Sequence, residues 1–235
     1  MTNIAVILAA GSGKRAGGDI PKQFMPLANG LTVMETAVAA FEQAELIDEI
    51  FIVANKCYFD TILSYSEKRN WQKLSGLIEG GRERWESSYN AIEKIRLHLQ
   101  NTNRKDCNIL LHDCARPFVS LSIITAVCSS LSAHEAVTVA LPVTDTVYVC
   151  EKDCDTKRLV AIPARESLLR AQTPQAFRLS VISEAYRRAV EAGYTQATDD
   201  CGILHRFIPE VKIAIVDGEE ENRKITYKQD LQTGQ

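Results

Sequence analysis

"VILAAGSGKRAGGDIPKQF" (6–24) decides the fold. An apolar run suited to a buried strand ends in Ala9-Ala10-Gly11, followed by glycines, the adjacent cations Lys14 and Arg15, and then Pro21-Lys22-Gln23. Small residues let backbone N–H groups approach an anion without Cβ clashes. In open parallel sheets, ligands bind beyond the carboxyl ends of the strands. The stretch therefore reads as a phosphate loop, although it fits neither common pattern. No Ser or Thr follows a Gly-Lys to hold magnesium, and Lys14-Arg15-Ala16 follows Gly13 where a dinucleotide loop places its third glycine three residues on, at the position of Ala16. The next strand ends "IVANK" (52–56), without the acid a nicotinamide-binding unit needs. What remains distinctive is Arg15 followed by Lys22, two cations able to grip phosphates from opposite sides, where phosphoryl and nucleotidyl transfer need positive charge.

The rest of the chain repeats the strand-then-helix rhythm. "NIAVIL" (3–8), "EIFIVA" (49–54), "NILLHD" (108–113), "EAVTVALPV" (135–143) and "VKIAIV" (211–216) read as buried strands. "VMETAVAAFEQAE" (33–45) aligns Val33, Ala37, Val38 and Phe41 on one helical face. "WESSYNAIEKIRLHL" (85–99) does the same with Tyr89, Ile92, Ile95 and Leu99. The fold class expected is α/β, a Rossmann-like, mostly parallel sheet with helices on both faces. Residues 144–177 break the rhythm with an alternating strand, a polar tip around Lys152–Lys157 and a returning strand. They predict a protruding β-hairpin arm (143–166) on an otherwise single 1–235 domain, packed against a second subunit because a lone hairpin buries little.

Composition narrows the partners. A net charge of −3 argues against nucleic acid bound by bulk charge, so any anion site is local. No apolar run reaches the length of a membrane span, and the chain enters its first strand without a charged leader; the expected location is the cytoplasm. Seven cysteines without a CxxC pair read as free thiols in a reducing compartment.

L-A-A-G-x-G-x-R followed by P-K-Q-F resembles the sugar- and polyol-nucleotide transferases, and among them the cytidylyltransferases for 2-C-methyl-D-erythritol 4-phosphate and ribitol 5-phosphate. The likeness continues in order through "GGRERWES" (80–87), "HDCARPF" (112–118), "PVTDT" (142–146), Arg165, "QTPQAF" (172–177), "TDD" (198–200) and "VDGEEENRKIT" (216–226).

The resemblance implies that CTP lies over the first loop, contacted by Ala9, Ala10, Gly11 and Gly13, with Gly80 and Ser87 helping to select cytosine. Gly80-Gly81 also reads as an ordinary turn before a capped helix. Asp113 would either share Mg²⁺ with the triphosphate or hydrogen-bond the ribose. Arg15 and Lys22 would be the catalytic cations. Arg116, Thr146, Arg165, Thr173, Thr198 and Lys224 would serve the acceptor, a polyol phosphate, with Thr146 and Arg165 reaching the neighbour's site in a homodimer with exchanged arms. For Arg116 an ion pair with Asp113 is the plain alternative. Asp199 and Asp200 read either as helix-start carboxylates or as acceptors of polyol hydroxyls, and His112 as a packed histidine. "PVTDT", "HDCARP", "AQTPQAF" and "TDD" lean towards methylerythritol phosphate; "IPAR" and "RPF" lean towards ribitol phosphate. Arg223 stands where an apolar residue is typical. The implied reaction joins CMP from CTP to 2-C-methyl-D-erythritol 4-phosphate, with ribitol 5-phosphate as the alternative acceptor. A non-catalytic nucleotide-binding relative would lack one of the loop or acceptor cations, and Arg15, Lys22, Arg165 and Lys224 are all present.

Overall fold

The computed structural model describes residues 1–11, 20–153 and 156–232. Gly13 and Arg15 lie outside the described residues. One seven-stranded sheet forms the body, built from β1 (Asn3–Leu8), β2 (Glu49–Ala54), β3 (Leu74–Glu79), β4 (Asn108–Asp113), β5 (Ala136–Pro142), β8 (Leu169–Arg178) and β9 (Ile213–Asp217). Their order is β3-β2-β1-β4-β8-β5-β9. β1 pairs in parallel with both β2 and β4, and Leu8 stands opposite Asp113. The chain steps outwards from β1 to β3 on one side, then returns to place β4 on the other. That reversal opens a crevice at the carboxyl ends of β1 and β4.

Alternation along β1 shows why the strands are apolar throughout. Ala5 and Ile7 join one core layer, while Ile4 and Val6 join the other. The first layer holds the inner faces of α1 (Val33–Gln43) and α4 (Leu121–Ser130), with Ile62 of α2 (Phe59–Arg69). The second holds α3 (Arg84–Asn101), α5 (Leu179–Glu191) and α6 (Asp200–Phe207). Val33, Ala37, Val38 and Phe41 are buried as the periodicity of α1 predicts, and so are Ile92, Ile95 and Leu99 of α3. Thr32 and Glu35 close a capping box at the start of α1. Among the described residues, no helix is long and apolar enough to cross a membrane.

Two strands differ from the sequence expectation. β3 ("LSGLIE") lacks the Val/Ile density of the others, because it is an edge strand and only Ile78 is fully buried. The predicted return of the arm is in fact two elements. The hairpin proper is β6 (Val149–Asp153) with β7 (Thr156–Ala161); β8 then re-enters the main sheet antiparallel to both β4 and β5. "QTPQAF" therefore belongs to the body and reaches the crevice from below.

Candidate active site

A cavity of about 530 Å³ occupies the crevice, within the usual range for small-molecule sites. Its walls come from six parts of the chain. Ala9, Ala10 and Gly11 follow β1; Lys22 and Gln23 follow the loop; Gly81 to Arg84 and Ser87 start α3; Asp113 to Ala115 end β4. Thr198, Lys224 and Thr226 close the far side.

The end of β1 is held by Gln23. Its buried amide donates to the carbonyls of Ala9 (2.7 Å) and Gly11 (3.1 Å), fixing the small-residue strand end as a flat floor. Lys22 Nζ donates to the carbonyl of Ile225 at 2.8 Å, so the cation sits in the cleft between the two ends of the chain. The Gly-Gly turn is sterically required. A Cβ on Gly80 would lie 2.1 Å from Ala10 Cβ, and one on Gly81 would lie 2.1 Å from Glu86 Cβ. Gly81 lines the cavity, while Gly80 packs beneath Ala10. Ser87 Oγ accepts from Gly81 N (3.1 Å) and donates to the Glu83 carbonyl (3.2 Å), shaping the turn.

Asp113 is the charged centre. Its Oδ1 accepts from Arg84 Nε at 3.1 Å and its Oδ2 from Lys224 Nζ at 2.6 Å. Burial pushes its carboxyl up, but the two cations outweigh burial and hold it well below the usual carboxylate range. Arg84 also places Nη1 2.8 Å from Asp200 Oδ2, a charge contact off the line of a hydrogen bond. Asp200 is fully buried, and its other oxygen accepts from Tyr186 Oη at 2.6 Å. Asp199 accepts from Gly202 N and caps α6. The structure thus separates the two acids of "TDD" as a helix cap and a buried counter-ion.

"QTPQ" supports all of this from β8. Gln175 Oε1 accepts from Asp200 N and Cys201 N, and its amide donates to Asp199 Oδ2. Gln172 bonds Glu219 O and Asn222 Nδ2, steering the segment that carries Lys224. Thr173 stands behind the end of β4. Its hydroxyl is buried behind Asp113, accepting from Asp113 N (3.1 Å) and bonding His112 Nδ1 (3.0 Å), so it supports the carboxylate and does not face the cleft. Burial pushes His112 down to about 4, consistent with a neutral, packed ring.

The other acceptor candidates are dispersed. Thr198 and Lys224 line the cavity. Arg116 donates to the carbonyls of Asn222 (2.8 Å) and Ala171 (3.2 Å), bracing two backbone segments; the ion pair with Asp113 is absent, and among the described residues Asp113 is bridged only by Arg84 and Lys224. Thr146 and Arg165 stand exposed at the arm, and Arg165 Nη1 donates to Thr144 O at 2.9 Å. Neither reaches the cleft of its own chain. Arg84 is the residue that sequence reasoning missed. It was one charge among several in "GGRERWES", and both of its partners lie far along the chain.

A model of the family described as 2-C-methyl-D-erythritol 4-phosphate cytidylyltransferase matches residues 3–235. The chain belongs to that family. A 2-C-methyl-D-erythritol 4-phosphate cytidylyltransferase of Thermobifida fusca is 42% identical over 97% of this chain and 89% of its own length. The bifunctional ribulose 5-phosphate reductase/CDP-ribitol pyrophosphorylase Bcs1 of Haemophilus influenzae is 36% identical over 97% of this chain, which spans 46% of that protein. Among solved structures, 4-diphosphocytidyl-2C-methyl-D-erythritol synthase from Anaerococcus prevotii superposes with a TM-score of 0.82 at 27% identity, covering 98% of this chain and 92% of its own. Family membership makes the protein a nucleotidyltransferase, and it fits a cleft built from cations and backbone rather than from a nucleophile–base pair.

Proposed function

We propose that the protein transfers CMP from CTP to 2-C-methyl-D-erythritol 4-phosphate and releases pyrophosphate. The observation that carries this reading is the cleft, where the strand end Ala9-Ala10-Gly11 and Lys22 face Asp113 and Lys224 across one cavity. The floor and the Gly81–Ser87 turn suit the nucleotide; Lys224, Thr198 and Thr226 suit a phosphorylated polyol.

The chemistry needs no strong base. A phosphate monoester is largely dianionic at neutral pH. One of its oxygens attacks the α-phosphorus of CTP, a P–O bond forms, the α–β bridge breaks, and its electron pair leaves with pyrophosphate. Lys22, and Arg15 beyond the described residues, would offset the charge that builds on the α-phosphoryl oxygens and the leaving group. Lys224 would hold the acceptor's phosphate as a point charge, with Arg116 near it. No group of three or more metal-ligating side chains occurs among the described residues, so a closed protein cage is not what the cleft offers. One carboxylate, Asp113, fits a Mg²⁺ ion carried mainly by the triphosphate and water. That ion would neutralise phosphate charge, and Asp113 would hold it.

The exposed apolar residues of the arm, Tyr148, Leu159, Val160 and Ile162, support a homodimer in which Thr146 and Arg165 complete the neighbour's acceptor site. The CDP-ribitol relative favours ribitol 5-phosphate as the second reading.

The test is incubation with CTP, Mg²⁺ and each acceptor separately, following pyrophosphate and the mass of the CDP-linked product. One pyrophosphate per CDP-methylerythritol, with kcat/KM at least about tenfold above that for ribitol phosphate, is expected. Turnover of ribitol phosphate alone moves the assignment to the second reading, and no pyrophosphate with either acceptor overturns both.

A further inference from the structure

Asp113 is gripped on both oxygens by cations of different kinds. Lys224 Nζ on Oδ2 is half-exposed at the end of a flexible stem, and it is also the cation best placed for the acceptor's phosphate. When that phosphate arrives, Lys224 must share or surrender its bond to Asp113. Arg84 cannot follow. Its guanidinium is tied from behind to Asp200, which has no exposed surface and is itself fixed by Tyr186 Oη (2.6 Å) and, through its backbone N–H, by Gln175 Oε1 (3.0 Å). The aligned hydrogen bond of Arg84 goes forward to Asp113, while Asp200 supplies charge from the rear.

We infer that Arg84 is a positioning residue for nucleotidyl transfer, the fixed half of a two-cation clamp that keeps the Asp113 carboxylate aimed into the cleft while Lys224 changes partners. A planar guanidinium can serve two carboxylates at once, and an ammonium cannot hold both in the same geometry. Asp200 is then an anchor with no substrate contact, and the buried Arg84–Asp200 pair is maintained for orientation of the cleft acid. The inference rests on the nucleotidyl-transfer reading of the cleft, and it fails separately: loss of that reading would show as an inactive wild-type protein.

The decisive experiment is a double-mutant cycle in steady-state CMP transfer. Arg84→Lys is made in the wild-type and in the Asp113→Asn background. Acting through Asp113, Arg84→Lys should lower kcat about tenfold in the wild type with the KM for CTP within about threefold, and less than about twofold once Asp113 is Asn. Equal losses in the two backgrounds, or full kcat in Arg84→Lys, would overturn the inference. Arg84→Gln leaves Asp200 buried without its cation and is expected to lower the melting temperature. Arg84→Gln/Asp200→Asn removes both charges and should recover that temperature while kcat stays at least about tenfold down. Recovery of kcat together with the melting temperature would show a purely structural role and overturn the inference.

Discussion

A glycine and a lysine carry the clearest residue-scale consequences. Because a methyl group on Gly80 would collide with Ala10 Cβ, Gly80→Ala must lift the floor of the cleft. Misplacing a bound substrate by about 1 Å can cost about a hundredfold, so steady-state assays should show kcat/KM down at least about tenfold, with KM for CTP raised. An unchanged KM would mean that the nucleotide does not lie on Ala10. For Lys22→Ala the expectation is opposite in kind. A cation that acts on developing charge lowers kcat far more than it alters CTP affinity, and a raised KM with intact kcat would remove Lys22 from the chemistry. Both residues stood out in the sequence through the family resemblance of "GGRERWES" and "PKQF", because a glycine pair by itself reads as well as an ordinary turn and a loop lysine as a solvated cation. The roles of Arg84, Asp200 and Thr173 were not legible. They depend on which carboxylate or hydroxyl the fold brings within 3 Å, and periodicity carries no such information.

Helix starts and strand ends set the energetics one level up. Burial pushes the Glu35 carboxyl up, but hydrogen bonds from Thr32 and Arg69 outweigh it and hold it below its ordinary value of 4.5. A depressed acid contributes stability that is fully present above 4.5 and is lost as pH falls through the folded-state value. Glu35→Gln should therefore cost about 1–2 kcal/mol in urea unfolding at pH 7, and the gap to wild type should narrow below pH 4.5. Gln175→Leu tests the start of α6. It strips Asp200 N and Cys201 N of their acceptor, so a loss of about 1–3 kcal/mol is expected, with a fall in kcat because Thr198 and the Asp200 anchor move together. Activity that survives while stability falls would uncouple α6 from the cleft. Five strands were readable as Val/Ile runs. β3 was missed because its edge position asks for little apolar surface, and β8 was merged with the arm because antiparallel pairing leaves no signature that separates one returning strand from the next.

For the molecule as a whole, the arm leaves and rejoins the sheet between hydrogen-bonded neighbours: Pro142 is opposite Leu169, and Val143 N bonds Leu168 O. Replacing the excursion with a tight turn should leave the body folded, with a melting temperature within a few degrees of the parent. In gel filtration the parent should elute as two chains and the shortened form as one, with KM for the acceptor raised; two-chain elution of both would place the interface elsewhere. The pinning of Lys22 by the Ile225 carbonyl has a temporal side as well. Its two partners are 203 residues apart in sequence, and so long a loop is closed only as the sheet between them comes together. The cleft is then a late product of folding, its two walls built on segments that meet only when the sheet between them has formed.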